Sequence, residues 1–159
     1  MEKDFFVYSF YSYEDVKILI NSKYEFYGDK VFDILAKLSF KVFAQDFNFR
    51  QVLHVIPIDD HTRHDFSQTA LLGKYLKSDK LQPVYGTLYA SNIVKYAGKD
   101  LNFRQNNKRN FKYTGRSGLA VVLVDDMVTT GTTILEAKKV LEEHNCTVIF
   151  ALTLCDAKI

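Results

Sequence analysis

Apolar residues recur along the chain with two periods. Over Tyr13–Lys23, Val16, Leu19 and Ile20 follow helical spacing, and after Gly28 the positions Val31, Ile34, Leu35 and Leu38 repeat it. The pattern predicts that two helices open the chain. Gln51–Ile58 (QVLHVIPI) is short, β-branched and apolar, and it ends at Pro57 and an Asp-Asp pair, as a buried strand feeding a loop does. From Phe66, the positions Ala70, Leu71, Tyr75 and Leu76 suggest a helix, and Pro83–Leu88 (PVYGTL) suggests a strand interrupted by a glycine. Farther on, Leu119–Val124 reads as a buried strand. Thr132–Glu143 reads as a helix carrying Ile134, Leu135, Ala137, Val140 and Leu141, and Thr147–Leu154 as a final strand.

Strands that alternate with helices imply right-handed βαβ units around a mostly parallel sheet, an α/β fold with helices on its faces. Ligands of such sheets bind beyond the carboxyl ends of the strands. Tyr89–Gly118 interrupts the alternation with thirty residues rich in Asn, Lys, Arg and aromatics and without a sustained period. A segment of that kind is usually a lid, a binding loop or disordered. No repeat, low-complexity tract or linker is present, so residues 1–159 are expected to form one domain, with an N-terminal helical part (1–48) and a basic segment (89–118).

Composition narrows the class. Apolar residues at 47% and charged residues at 25% exclude disordered, collagenous and disulfide-framework chains. The apolar run Leu119–Val124 ends at an acidic pair, far short of the roughly 18 residues of a membrane span. The start, MEKDFFVYSFYSYED, is acidic where a signal peptide would be basic, so a cytoplasmic setting is expected. Cys146 and Cys155 match neither a CxxC pair nor a zinc knuckle and read as buried thiols. The net charge of +2 hides an asymmetry. Lys95 to Arg116 holds seven basic residues against Asp100, a local +6 that leaves the remainder at −4. Phosphates or nucleic acid would meet such a patch, and a solvated basic loop would look the same.

The most specific segment is Ala120–Thr133, AVVLVDDMVTTGTT: a buried strand, two carboxylates at its exit, then a Thr/Gly turn entering a helix. Gly131 allows a sharp turn and close backbone approach, and a helix N-terminus offers unpaired N–H groups. Hydroxyls of Thr129, Thr130, Thr132 and Thr133 can donate to phosphate oxygens, while Asp125 and Asp126 can accept from vicinal sugar hydroxyls. A Walker B strand also ends in Asp, but no GxxxxGK[ST] partner exists and the segment lacks GxGxxG.

This stretch closely resembles the phosphoribosyl-pyrophosphate (PRPP) signature of the type I phosphoribosyltransferases. More loosely, the chain resembles the ComF-type branch of that family, associated with competence and DNA uptake, through Lys23-Tyr24, Gly28-Asp29, Ile56-Pro57-Ile58, Phe66, Gln68 to Leu72, Arg104, Asn107 and Phe111. The resemblance implies a type I phosphoribosyltransferase-like fold with a long flexible hood. It assigns Asp125 and Asp126 to the reaction centre, Thr129 to Thr133 to the PRPP phosphate, and Ile58, Asp59, Asp60 and Arg63 to a pyrophosphate loop. It also implies Mg2+ arriving with PRPP and reached through water, with no metal ligand assigned directly. Members of that branch commonly carry an N-terminal zinc ribbon; none is read here, and no zinc is expected. Their pyrophosphate loop is usually richer in arginine than Asp59–Ser67, where Arg63 alone is reliably cationic. His61, His64 and Asp65 with Asp59 and Asp60 leave a transition-metal site as a rival reading of that loop.

In the related enzymes the segment before the PRPP strand closes over the reaction centre. Here Lys95, Lys99, Arg104, Lys108, Arg109 and Lys112 are interleaved with Tyr96, Phe103, Phe111 and Tyr113, as in a single-stranded DNA binder, and a solvated lid explains the same letters. Two functions are therefore expected. One is a competence protein that binds PRPP and single-stranded DNA alongside other competence-machinery proteins. The other is a salvage transferase that moves ribose 5-phosphate from PRPP to a purine or pyrimidine base.

Overall fold

The computed structural model describes residues 4–62, 66–91, 102 and 108–159. A strand, β1 (Val7–Ser12), comes first, followed by α1 (Tyr13–Asn21), a 3-10 turn (Ser22–Tyr24), α2 (Gly28–Leu38) and α3 (Phe40–Asp46). Then come β2 (Leu53–Pro57), α4 (Gln68–Lys74) and β3 (Leu81–Pro83). Two short strands, β4 (Leu88–Ala90) and β5 (Phe111–Tyr113), precede β6 (Ala120–Val128), α5 (Thr132–Glu143) and β7 (Thr147–Asp156). The main sheet has the order β1-β7-β6-β2-β3, and every pairing in it is parallel. β4 and β5 form a separate antiparallel ribbon. The expected α/β class, a central parallel sheet flanked by helices, is observed.

Alternation along β6 divides the core. Val122 and Val124 pack with Val16, Ile20, Phe32, Phe40, Leu72 and Leu76 from α1 to α4 and its flank. Val121 and Leu123 pack with Ile134, Ala137 and Leu141 of α5 and with Leu88, Phe111 and Tyr113 of the ribbon. Successive strand residues point to opposite faces, so one apolar run serves both layers. Each fully buried side chain of this size contributes about 1.5–3 kcal/mol. Ser12 Oγ accepts from Asp15 N at 3.3 Å and Ser67 Oγ from Ala70 N at 3.2 Å, which caps α1 and α4.

The fold departs from the sequence pattern in five places. β1 replaces the expected helical start: VYSFYS lacks strict alternation, and its strand state comes from pairing with β7 and from the 2.6 Å contact between Ser9 Oγ and Thr153 Oγ1. A third helix, α3, follows α2. PVYGTL is not one strand but the passage from the main sheet to the ribbon, turning at Gly86 with φ 67°. The period-free segment supplies the ribbon strands β4 and β5 at its borders. β6 runs on through Asp125 and Asp126 because β7 continues to pair with it, Asp125 opposite Thr153 and Val128 opposite Asp156.

Strand order places a switch point between β2 and β6. From β2 the chain moves outward to β3, and from β6 it moves the other way to β7, so a crevice opens at their carboxyl ends. The 3-10 turn stands at the same end, where Lys23 reaches Asp126, and α2 begins tightly against it. A Cβ on Gly28 would sit 2.2 Å from the Ser22 carbonyl oxygen. Gly28→Ala is therefore expected to lower stability by about 1–3 kcal/mol, in the range for an overpacked contact. Thermal unfolding checks this, and an unchanged midpoint would mean the turn is not held this closely in solution.

Candidate functional site

A small open cavity lies at the end of β6. Its lining is Asp125, Met127, Val128, the loop Thr129–Thr133 and Ile134 at the start of α5. Gly131 caps the helix with φ 84°, a conformation that side chains other than glycine's strain to adopt. It offers no side-chain cap, and Thr130 Oγ1 partly takes that role, lying 2.8 Å from Thr132 Oγ1 and accepting from Thr132 N at 3.4 Å. Hydroxyls and amide N–H groups thus converge on the positive end of a twelve-residue helix, an arrangement suited to an anion.

The two acids are not equivalent. They are adjacent in a strand and within hydrogen-bonding reach of each other, yet their other partners differ. Asp125 lines the cavity with the threonine loop; Asp126 does not. Asp126 Oδ2 accepts from Lys23 Nζ at 2.8 Å, a side chain brought from the 3-10 turn on the helical side, and both side chains are about one-sixth exposed at 16% and 17%. Asp125 Oδ1 accepts from the backbone N–H of Asp126 at 2.9 Å.

Burial, followed by the neighbouring Asp126 charge, pushes the Asp125 carboxyl up to about 8, and Arg109 offsets part of that rise. For Asp126 burial acts in the same direction, but the Lys23 ammonium and its hydrogen bond outweigh it and hold the carboxyl below the usual range. Burial pulls Lys23 down and the Asp126 charge more than reverses this, so its pKa is raised.

Arg109 lies just before β5 of the ribbon. Its backbone N–H donates to Glu136 Oε2 of α5 at 3.2 Å, and its charge bears on Asp125. Arg109, read from the sequence as a nucleic-acid or hood residue, therefore sits beside the cavity. Lys108 and Lys112 are exposed, while Lys95, Lys99, Arg104 and Arg63 lie outside the described residues.

Ile58 is buried and donates its N–H to Val124 O at 2.9 Å. The two acids after it are turned toward the ribbon. Asp59, at φ 50°, accepts from Ala90 N at 3.1 Å through Oδ1, and Asp60 Oδ2 accepts from Gly86 N at 2.7 Å. The cavity lining includes none of these three residues. Among the described residues no three His, Cys, Asp or Glu side chains group as metal ligands. Mg2+ commonly keeps several waters and binds through one or two carboxylates together with substrate phosphates. His64 and Asp65 of the rival metal reading lie outside the described residues. Cys146 and Cys155 are both buried and free of disulfides.

Lys23 is the site residue that sequence reasoning missed. The Lys23-Tyr24 and Gly28 matches were its signal, but a lysine 103 positions from Asp126 carries no role until the fold brings them together.

The phosphoribosyl transferase domain family matches residues 87–159, the part carrying the ribbon, β6, the threonine loop, α5 and β7. No curated protein matches the chain. Among solved structures the chain is similar to UMP synthase of Leishmania donovani at 16% identity and a TM-score of 0.45, over 79% of this chain and 22% of that one. It is similar to a hypoxanthine phosphoribosyltransferase of Staphylococcus aureus at 13% identity and a TM-score of 0.43, over 80% and 64%. It is also similar to the adenine phosphoribosyl transferase of Trypanosoma brucei, solved with AMP, pyrophosphate and ribose-5-phosphate, at 15% identity and a TM-score of 0.44, over 80% and 64%. The chain thus spans less than two thirds of the length of each of these three. No helix among the described residues is long and apolar enough to cross a membrane.

The elevated Asp125 pKa has a consequence for stability. The folded chain keeps this proton until about pH 8, whereas an unfolded chain releases it near the ordinary value of about 3.9. Native protein then binds more protons than unfolded protein across that window, and this group's contribution to stability falls as pH rises from 4 to 8. Asp125→Asn removes the titration. Its thermal midpoint relative to wild type is expected to climb between pH 5 and pH 8.5, at about 2–4 °C per kcal/mol for a chain of this size. A difference independent of pH would mean that Asp125 ionises normally.

Proposed function

We propose that the cavity is a PRPP site and that the chain works by phosphoribosyltransferase-type chemistry. The observation that carries this reading is the meeting of Asp125 with the Thr129–Thr133 loop at the N-terminus of α5. A 5-phosphate would take the amide and hydroxyl donors of the loop, and a ribose hydroxyl would reach Asp125. The family match over residues 87–159 supports the same reading independently of the geometry. In the transfer, the bond from C1 of the ribose to pyrophosphate breaks, pyrophosphate departs with the electron pair, and a nucleophile bonds to C1. Positive charge developing on the sugar would be stabilised by the departing phosphates, and by Asp125 once it has lost its proton, with no general base required.

Calorimetry with PRPP and magnesium tests the site. Wild type is expected to bind, while Asp125→Ala and Gly131→Val weaken binding at least tenfold and remain folded by circular dichroism. Undiminished affinity in both variants overturns the assignment.

The second element of the reading is the ComF-type role: binding of single-stranded DNA, DNA uptake, competence partners and a cytoplasmic setting. It rests on the sequence resemblance and on the exposure of Lys108 and Lys112 along the ribbon, where buried Phe111 and Tyr113 anchor the strand and leave the cations outward. Replacing both lysines by alanine is expected to flatten the slope of log affinity against log salt for a fluorescent single-stranded oligonucleotide by about 1.4. An unchanged slope takes these residues out of any DNA surface. Transfer of ribose 5-phosphate to a base in salvage is the alternative, and pyrophosphate release across a panel of purines and pyrimidines, with no oligonucleotide binding, would favour it.

A further inference from the structure

The Lys23–Asp126 contact asks for an explanation that packing does not supply. An ammonium and a carboxylate, each about one-sixth exposed, meet at 2.8 Å across a separation of 103 residues, beside a second carboxylate on the same strand. A partly buried ion pair of this kind is not an efficient source of stability, since both charges give up much of their hydration. Two adjacent acids in such surroundings would otherwise share protons, because like charges at close range cannot both ionise cheaply. The turn that carries Lys23 is also held unusually tightly, with no room for a side chain on Gly28.

We propose that Lys23 is a positioning residue of the ligand site: from the 3-10 turn it holds Asp126 as a carboxylate on the helical face of the sheet and leaves Asp125 as the acid that meets the ligand. The inference rests on the PRPP reading of the cavity and adds to it the N-terminal segment, which lies outside the matched residues 87–159. Lys23 acts through Asp126 rather than on the ligand. The groups surrounding the pair agree with this division. Facing Asp126 are Lys23, with the Tyr24 ring 5.5 Å from its ammonium, and the Cys155 thiol of β7, pushed up to about 12 by burial and then by the Asp126 charge. Asp156 lies farther along β7. Bearing on Asp125 are the Asp126 carboxyl, within hydrogen-bonding reach, Arg109 of the ribbon segment and, through it, Glu136 of α5. With Asp126 matched by Lys23 and Asp125 still holding its proton at neutral pH, the three groups together carry no net charge, a favourable starting point for a polyanionic ligand.

A double-mutant cycle with two readouts tests the proposal. Wild type, Lys23→Met, Lys23→Arg, Asp126→Asn and Lys23→Met/Asp126→Asn are compared by carbon-13 carboxyl titration and by calorimetry with magnesium-PRPP between pH 6 and 9. In wild type, Asp126 is expected to remain ionised throughout while Asp125 titrates near 8. Lys23→Met should bring the Asp126 titration up into the measured range, lower PRPP affinity at least tenfold and move the pH midpoint of binding. Lys23→Arg should restore most of each. In the Asp126→Asn background, Lys23→Met should leave PRPP affinity unchanged, and the double variant, which buries no unmatched charge, remains available for comparison with wild type if the single methionine variant unfolds.

An Asp126 titration unmoved in folded Lys23→Met overturns the proposal, whatever happens to PRPP. So does an equal loss of affinity on replacing Lys23 in the wild-type and Asp126→Asn backgrounds, which would put Lys23 on the ligand itself. Absence of PRPP binding by wild type at every pH overturns the reading of the cavity instead, and the carboxyl titration then decides the role of Lys23 alone.

Discussion

Continued parallel pairing of β6 with β7 beyond the apolar run is the constraint on which the site depends. Hydrogen bonding holds Asp125 opposite Thr153 and carries the strand to Val128 opposite Asp156, so both acids are fixed by the sheet rather than by a loop. Adjacent strand positions give the two carboxylates different further neighbours, although they stay within reach of each other. One opens to the threonine loop and the ribbon. The other is turned to the N-terminal helices and finds Lys23.

The same geometry explains why two chemically identical residues ionise differently. Burial raises both, as it must for any carboxylate withdrawn from water. What separates them is the partner: an ammonium at 2.8 Å on one side, a more remote guanidinium on the other. The asymmetry joins three parts of the chain that are distant in sequence, the 3-10 turn, the end of β6 and the Arg109 segment with its tie to α5. The ribbon is in turn fastened by the loop after β2, where Asp59 and Asp60 spend carboxylate oxygens on the N–H groups of Ala90 and Gly86. Acids that look like metal ligands in a sequence can serve as anchors in a fold.

Much of the architecture was legible in the chain. The helix Thr132–Glu143 emerges with its observed limits because Gly131 marks its start and its apolar positions keep strict helical spacing. The strands β2, β6 and β7 are legible as apolar runs, and the threonine loop as an anion-binding turn, because each is specified by residues close together. β1 was not, since an edge strand with mixed polar and aromatic residues depends on a partner some 144 positions away, as between Ser9 and Thr153. The ends of β6 and β7 were not either, because pairing continued where hydrophobicity had stopped.

The sequence by itself determined the parallel α/β class, the position of the acidic pair and the loop that follows it, since local spacing, turn chemistry and burial patterns specify those. Only the tertiary structure decided that Asp125 lines the cavity while Asp126 faces Lys23, that Arg109 stands beside the cavity, and that Asp59 and Asp60 tie down the ribbon. These are contacts between groups far apart along the chain. Their distances follow from how the sheet orders its strands and which face each residue is given, and no local pattern encodes either.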